Sequence, residues 1–257
     1  MTLIIGIKCV DGIVLGADSA QTMPGYIQQS TRKIEIIGSD FVIGSSGSGH
    51  IAHQFRWAIE EAMASPEFCT ENLQAASNSL RQAIWPIVER NFSETAFLRQ
   101  RSTQPANFQD PTTYSLVALL AGRTPTLLSF NENGSPIEIT ADSVFGCLGS
   151  GCFAANPFLG FIKRIWWVDH NPSVAEGILA TVWTLEHSIK VSSGGVADPK
   201  QLVVFSSTDG EWRAKELSSN ELDEHHQAVN ELERKLATDL SEFFKATPQD
   251  PTVADIQ

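Results

Sequence analysis

The chain is poor in basic residues and in cysteine, and it lacks any long apolar run. Its 257 residues include 18 lysines and arginines against 30 aspartates and glutamates, so the formal net charge is −12. Nucleic acids are bound by basic protein surfaces, so this balance argues against a nucleic-acid partner, and it also disfavours anionic membrane surfaces. No stretch reaches the roughly 18 apolar residues that a membrane-spanning helix needs. We therefore expect neither a nucleic-acid nor a membrane partner.

The four cysteines give no sign of a metal centre or a disulfide framework. They are Cys9, Cys69, Cys147 and Cys152. They form no CxxC pair and have no zinc spacing, and three lie in apolar or small-residue segments, so we expect buried free thiols. The charged residues Lys8 and Asp11 interrupt the first apolar run, so we expect no signal peptide. These features favour a cytoplasmic protein.

Turn signals divide the chain into paired strands and amphipathic helices. The dipeptides Asp11-Gly12, Asn133-Gly134 and Asp209-Gly210 separate apolar runs and predict hairpins. The predicted strands are 2–9, 12–18, 33–37, 41–44, 113–120, 126–130, 137–140, 144–148, 202–206 and 211–215. The predicted helices are 51–62, 70 to about 92 with a kink at Pro86, 152–167, 172 to about 190 after an Asn171 cap, and 219–246. The polar residues 94–112 between them are predicted to form a surface loop.

Because hairpins dominate, we expect antiparallel sheets with helices on their outer faces. The predicted fold class is α+β, a four-layer αββα sandwich of two antiparallel sheets. Neither a linker nor an internal repeat is visible, so residues 1–218 are predicted to form one domain. Ser218 and Glu221 form a capping box for the last helix, and residues 219–257 are predicted to be a helical extension and tail of that domain.

Thr2 is the first candidate for chemistry. It opens the first apolar run with only Met1 before it, and a small second residue favours removal of the initiator methionine. The exposed threonine would then carry a nucleophilic hydroxyl and, in its α-amine, a base. An α-amine titrates near pH 8, so a large share of it is unprotonated at physiological pH.

From the residues alone, the other candidates have ordinary structural interpretations as well. Asp18 could be a turn residue at a strand end, and Lys33 a solvated lysine at a strand edge. The segment Gly44–Gly49 could be a plain loop or a phosphate cradle, although it lacks the lysine of a P-loop. His50 and His53 lack the acidic partner of a zincin, so no metal site is predicted there.

Several short motifs follow one another in an order that resembles that of a known protein family. Those motifs are Thr2, Asp11-Gly12-Ile13-Val14-Leu15-Gly16-Ala17-Asp18-Ser19, Lys33-Ile34, Ser46-Gly47, Gly149-Ser150-Gly151 and Ser193-Gly194-Gly195. In this order and spacing they resemble the proteasome-type β subunits, which are N-terminal-nucleophile hydrolases that use threonine. The resemblance spans residues 2 to about 207. It implies the N-terminal-nucleophile form of the αββα sandwich.

The resemblance implies a role for each matched residue. Thr2 would be the nucleophile and, through its amine, the base. Lys33 would lower the pKa of both Thr2 groups by charge repulsion, and Asp18 would pair with Lys33 and keep it charged. Gly47 would donate its backbone N–H to the oxyanion of the tetrahedral intermediate, with Gly49 as the neighbouring candidate.

The remaining matched positions include one departure. Ser150 would orient the Thr2 amine, and Ser193 would assist. Three residues before Ser193 the family pattern has aspartate, whereas this chain has Lys190. Glu186 lies one helical turn earlier and could pair with Lys190, which would compensate for the reversed charge. Ser45 is the residue expected to floor the specificity pocket.

Three functions remain open at this point. The first is a threonine-type peptidase or amidase that acts on peptides or unfolded proteins within a homo-oligomer, either a ring or a spiral. The second is a catalytically silent scaffold subunit, which Lys190 favours, and the third is an amidase for a small molecule. No cofactor or metal is implied, since Thr2 supplies both nucleophile and base, and an ATPase unfoldase partner is left open.

Overall fold

A computed structural model describes residues 2–22, 28–101, 112–192 and 195–246 of the chain. The chain divides into two compact units, residues 1–217 and 218–257. In the first unit two five-stranded antiparallel sheets face each other, and a pair of helices covers the outer face of each sheet. The α+β prediction and its four-layer αββα arrangement are therefore confirmed.

The helices and strands follow the predicted order, with two additional short strands. The strands are β1 (Ile4–Lys8), β2 (Gly12–Ala17), β3 (Ala20–Thr22), β4 (Gln28–Ser30), β5 (Ile34–Ile37), β6 (Phe41–Gly47), β7 (Thr113–Ala121), β8 (Thr124–Phe130), β9 (Pro136–Glu138), β10 (Phe145–Leu148), β11 (Gln201–Thr208) and β12 (Glu211–Glu216). The helices are α1 (Gly49–Met63), α2 (Leu73–Arg101), α3 (Cys152–Ile165), α4 (Val174–Val191) and α5 (Ser219–Ala246).

The two sheets have different strand orders. The first is β10-β1-β2-β11-β12, and the second is β5-β6-β7-β8-β9. All neighbouring strands are antiparallel, and the small β3–β4 ribbon forms a separate pair. The strand β1 lies between β10 and β2, so the chain segment that begins at Thr2 is held from both sides.

Two apolar layers hold the sandwich together. Between the sheets, Ile4 and Leu15 pack against Val42, Leu116 and Leu127, all of them essentially without solvent exposure. The alternating inward-facing residues of the two sheets thus fill one shared core. A second cluster joins the outer face of the second sheet to α1 and α2. Burial of these apolar surfaces is the main favourable term for the fold.

The helix α4 lies unusually close to the first sheet at Gly16. A Cβ atom added to Gly16 would lie 2.2 Å from the Cγ2 atom of Thr181, which is too close for any side chain. Glycine therefore lets α4 pack directly on β2.

Several boundaries differ from the sequence predictions. The α4 helix begins at Val174 with Ser173 as its N-cap, because Ser173 and Glu176 form a reciprocal capping box; the predicted Asn171 cap is wrong. The α2 helix continues to Arg101, so the loop predicted for 94–112 is wrong over 94–101, where good helix formers prevail. The three-residue strands β3 and β4 are too short to show a periodic pattern.

The cysteines are free thiols, but only one is buried. Burial, together with the charges of Asp11 and Glu176, raises the pKa of the Cys9 thiol to about 12. Cys69, Cys147 and Cys152 are each half-buried, so the expectation of burial is wrong for them. Cys69 lies in the loop between α1 and α2, Cys147 lies on the edge strand β10, and Cys152 is the first residue of α3, so none of them is enclosed on all sides.

The second unit consists of the long helix α5. Its predicted capping box is present: the Glu221 carboxylate accepts the backbone N–H of Ser218 at 2.8 Å, and the Ser218 hydroxyl accepts the N–H of Glu221 at 3.4 Å. That these residues extend the first domain stays a prediction. Among the described residues, no helix has the length and apolar character needed to cross a membrane.

Candidate active site

A buried ion pair lies at the centre of the candidate site. Asp18 directly follows β2 and Lys33 directly precedes β5, so the two residues come from different sheets. The Lys33 Nζ atom lies 2.7 Å from Oδ1 of Asp18, and the two side chains are 5% and 0% exposed. The structure therefore places Asp18 and Lys33 together as predicted, and it removes both from solvent.

Asp18 also binds three backbone amides. Its Oδ1 accepts the N–H of Leu3 at 2.8 Å, and its Oδ2 accepts the N–H groups of Ala20 at 3.0 Å and Ala197 at 3.4 Å. The Asp18 N–H in turn donates to the Leu3 carbonyl at 3.2 Å. These bonds satisfy the buried carboxylate, and they tie the residue after Thr2 to the ion pair.

Burial and pairing act in opposite directions on Lys33. Removal of its ammonium group from water is the larger effect and lowers the pKa of Lys33, while the charge and hydrogen bond of Asp18 raise it. The net direction is downward from the usual value. The expectation that Asp18 favours the charged lysine is thus correct in sign, but Asp18 only partly offsets the effect of burial.

Gln201 positions Lys33 and was missed by the sequence analysis. Its Oε1 accepts the backbone N–H groups of Lys33 at 2.9 Å and Ile34 at 3.3 Å, and its Nε2 donates to the Thr31 carbonyl at 3.1 Å. A glutamine at the start of β11 carries no local signal for this role. Only the pairing of β11 with β2 brings it beside Lys33.

The backbone of Thr2 is fixed by a glycine-rich turn. The Thr2 carbonyl accepts the N–H of Gly151 at 3.0 Å. A Cβ atom added to Gly149, whose φ is +90°, would lie 2.1 Å from the Thr2 oxygen and 2.9 Å from Oγ of Ser46. This turn therefore approaches Thr2 as closely as it does because it has no side chain at Gly149.

Thr2, Lys33 and Gly47 open onto one cleft of about 280 Å³. Ser45 is among its lining residues, and its Oγ lies 2.9 Å from Oγ of Ser115; that Ser45 floors a specificity pocket stays a prediction. The candidate nucleophile, the ammonium group and the candidate oxyanion donor thus face the same space. In this cleft the three groups could act on a single substrate carbonyl.

Gly47 ends β6 with a φ of +113°, at the mouth of the cleft. A Cβ atom there would lie 2.3 Å from the Thr112 carbonyl oxygen. Gly49, the alternative donor, is the first residue of α1, and the nearest atom to its added Cβ would be the Gln21 Nε2 at 3.6 Å. Of these two positions, Gly47 is therefore the one at which the backbone conformation and the neighbouring carbonyl require glycine.

The remaining predicted site residues that the structure describes do not line the cleft. Ser150 is exposed in the turn between two glycines that contact Thr2, but it does not line the cleft. Ser193 lies outside the described residues. Lys190 Nζ lies 4.0 Å from Oε2 of the buried Glu186, and Lys200 Nζ lies 3.9 Å from Oε1 of the same carboxylate. The predicted pair exists at the limit of ion-pair distance, and its compensating role in catalysis stays a prediction.

No group of three or more histidine, cysteine, aspartate or glutamate side chains within the described ranges could hold a metal ion. The cleft instead combines a hydroxyl, a buried ammonium and a glycine with a positive φ. Such a set can deliver a nucleophile to a carbonyl and stabilise the negative charge that develops on its oxygen.

The contrast between the two glycines can be tested by substitution. We expect Gly47→Ala to lower the free energy of unfolding by about 1–3 kcal/mol, because alanine would take up a disfavoured φ and meet the Thr112 carbonyl. Gly49→Ala adds the same methyl group at ordinary van der Waals distance from Gln21 and should leave stability nearly unchanged. Urea unfolding followed by circular dichroism measures both, and equal stabilities would contradict the assignment.

Comparison with known proteins gives one partial family match and many structural neighbours. The family model for "Proteasome subunit" matches residues 2–68. The comparison with curated proteins finds no match.

The neighbours are similar over almost the whole chain at low identity. An Anbu (Gly-1) mutant from Hyphomicrobium sp. strain MC1 has a TM-score of 0.69 at 17% identity, with 97% of this chain and 99% of that one covered. Anbu (ancestral beta-subunit) from Yersinia bercovieri has a TM-score of 0.68 at 13% identity, covering 96% and 99%.

A third neighbour comes from an assembled particle. It is the helical assembly of the Anbu complex from Pseudomonas aeruginosa, with a TM-score of 0.70, 14% identity and coverage of 98% and 100%. Identities this low establish the fold. The chain therefore has the proteasome-like fold of the Anbu proteins, and its residues 2–68 match the proteasome subunit family.

Proposed function

We propose that the chain is a threonine-type hydrolase of peptide or amide bonds, with Thr2 as its nucleophile once Met1 has been removed. The observation that carries this proposal is the buried Asp18–Lys33 pair, which is tied through Leu3 to Thr2 and opens onto the same cleft. A buried ion pair is a weak source of stability. Its position beside a candidate nucleophile gives it a chemical use.

The proposed reaction uses groups of this chain alone. The Thr2 hydroxyl attacks the substrate carbonyl while the free α-amine accepts its proton, and the amine then passes that proton to the departing amine. The Gly47 N–H stabilises the tetrahedral oxyanion, and Lys33 lowers the pKa of the groups at Thr2. Water then hydrolyses the acyl ester, with the same amine as base.

We further propose that the chain works as a homo-oligomer built through α3. One face of this helix packs on α4, where Phe158 stacks on His187 at a ring distance of 4.3 Å. The solvent-accessible side chains of the same helix include Phe153, Phe161 and Ile165, with Phe153 90% exposed. The helical assembly of the similar Anbu complex supports a second copy of this chain as the occupant.

The alternative is a silent scaffold, and Lys190 favours it because the resemblance calls for aspartate there. The cytoplasmic location also stays a prediction from the sequence. The enzyme and the scaffold both require assembly, so only chemistry at Thr2 separates them.

Removal of the nucleophile tests the enzyme directly. We expect Thr2→Ala to lose hydrolysis and covalent labelling by a peptide epoxyketone, while Thr2→Ser keeps a measurable share of both because it retains the hydroxyl. Intact mass spectrometry of the purified protein reports Met1 removal and adduct formation together. A wild-type protein that has lost Met1 but forms no adduct would favour the scaffold.

The lowered pKa of Lys33 predicts an alkaline limit to activity. As pH rises, the Lys33 ammonium loses its proton at a pH below the usual 10.5, so kcat/KM should fall there. The paired variant Asp18→Asn/Lys33→Met removes both charges without leaving one buried alone. We expect this variant to fold and to have a low kcat/KM that shows no such decrease at alkaline pH. A wild-type dependence of kcat/KM on pH in this variant would refute the role of Lys33.

Assembly is tested at the exposed face of α3. Phe153→Asp places a charge in the proposed interface, so we expect smaller particles by analytical ultracentrifugation and electron microscopy. Val10→Asp offers a control, because it changes another exposed apolar residue away from α3. An unchanged particle size for Phe153→Asp, or an equal decrease in particle size for both variants, would argue against α3 as the interface.

A further inference from the structure

Two cysteine side chains meet where the edge strand β10 leads into α3. Cys147 is the partner of Ile5 in the register between β10 and β1, and Cys152 is the first residue of α3. The two thiols share a hydrogen bond, and both are free and half-buried. The chain thus holds a pair of thiols in contact that the proposed hydrolysis does not use.

The strand β10 turns Cys147 toward the helices. Its neighbours face the other sheet: Leu148 belongs to the core between the sheets, and a Cβ atom added to Gly146 would lie 2.4 Å from Cδ1 of Ile139. Side chains alternate along a strand, so Cys147 lies on the opposite face. That is the face on which α3 and α4 pack, which explains why its thiol meets the first residue of α3.

The Gly149–Gly151 turn connects the two cysteines and also fixes Thr2. The Gly151 N–H donates to the Thr2 carbonyl at 3.0 Å, and a Cβ atom added to Gly151 would lie 2.7 Å from Cβ of Leu3. Gly149 comes as close to the Thr2 carbonyl, as described above. Movement of the turn toward Thr2 is therefore blocked by these contacts, and movement away stretches the hydrogen bond.

The two thiols differ in acidity because of the bond between them. The hydrogen bond from Cys147 lowers the pKa of Cys152, its own backbone N–H acts in the same direction, and burial opposes both. The same hydrogen bond, together with burial, raises the pKa of Cys147 well above its usual value. The thiolate is the form that reacts with oxidants, so Cys152 reacts first and Cys147 supplies the second thiol.

We propose that Cys147 and Cys152 are a modification site, which a peroxide converts into a reversible disulfide, and that this bond displaces the Gly149–Gly151 turn from Thr2. Cys152 is half-buried beside the exposed Ser150, which leaves a path for a small peroxide. The disulfide goes beyond the hydrolysis proposed above, and only its effect on the reactivity of Thr2 rests on that function.

The oxidation proceeds in two balanced steps. The Cys152 thiolate attacks one peroxide oxygen, the O–O bond breaks, and Cys152 becomes a sulfenic acid while hydroxide leaves. The Cys147 sulfur then attacks the Cys152 sulfur, the S–O bond breaks, and the Cys147 proton leaves with the hydroxyl group as water. In total the two thiols lose two hydrogens, and hydrogen peroxide is reduced to two waters. Formation of the bond draws the sulfurs from hydrogen-bond contact to covalent distance, and this moves the short turn between them.

Peptide mapping tests the bond itself. Wild-type protein is treated with hydrogen peroxide, alkylated with iodoacetamide and digested with trypsin without reduction. We expect the peptide that contains Cys147 and Cys152 to have lost two hydrogens and to take up no iodoacetamide, whereas dithiothreitol restores two alkylation sites. A peptide that stays fully alkylated after the peroxide treatment overturns the inference.

Three variants assign the steps. Cys152→Ser should leave Cys147 as a free thiol under the same treatment, and Cys147→Ser should leave a sulfenic acid on Cys152 that dimedone traps. Cys69→Ser is the matched control, because it removes another half-buried thiol outside this pair, and it should form the disulfide as the wild type does. Loss of the disulfide in Cys69→Ser, or dimedone on Cys147 instead of Cys152, contradicts the assignment.

Two measurements test the effect on Thr2. Hydrogen exchange of the Gly151 amide should be faster in the disulfide form, because its bond to the Thr2 carbonyl is weakened. Labelling of Thr2 by a peptide epoxyketone should be slower by about tenfold or more, since small displacements of a reacting group are costly, and dithiothreitol should restore it. In Cys152→Ser the peroxide should change neither quantity.

The outcomes separate this inference from the proposed function. A disulfide that changes neither the exchange of Gly151 nor the labelling of Thr2 overturns the coupling between the thiols and Thr2. If protein that has lost Met1 is labelled in neither redox state, the threonine hydrolase is wrong, and faster exchange of Gly151 in the disulfide form still supports the effect on the turn. Normal labelling without any disulfide overturns the inference and leaves the hydrolase standing.

Discussion

The buried contact between Asp18 and Lys33 is the interaction on which the rest of the site depends. Two charges removed from water are tolerated only when they are paired and hydrogen-bonded, and Asp18 meets this condition through Lys33 and three backbone amides. Those amides belong to segments far apart in the sequence. The pair therefore fixes the relative position of both sheets at the edge where Thr2 lies.

The sequence allowed the architecture and half of the site to be predicted. Dipeptides such as Asp11-Gly12 set antiparallel pairing through local turn geometry, and the order of short motifs pointed to Thr2, Asp18 and Lys33. Gln201 could not be predicted, because its contact with Lys33 arises from the pairing of β11 with β2. The structure also showed that helix propensity carried α2 beyond the expected loop.

Backbone geometry shapes the site as strongly as its side chains do. Gly47 and Gly149 both have positive φ values, and in each case an added Cβ atom would collide with a carbonyl oxygen. These glycines fix the backbone of the site, whereas the side chains around it differ in charge, as Lys190 and the charged residues that line the cleft illustrate.

The hydrogen bonds around Thr2 also bear on when the site can form during synthesis. Leu3 is held through Asp18 to Ala197, and Lys33 is held by Gln201, 168 residues later in the chain. A nascent chain on the ribosome lacks these partners until most of the first unit has left the exit tunnel. Translation itself therefore delays assembly of the site, and a growing polypeptide does not carry a completed site among other unfolded nascent chains.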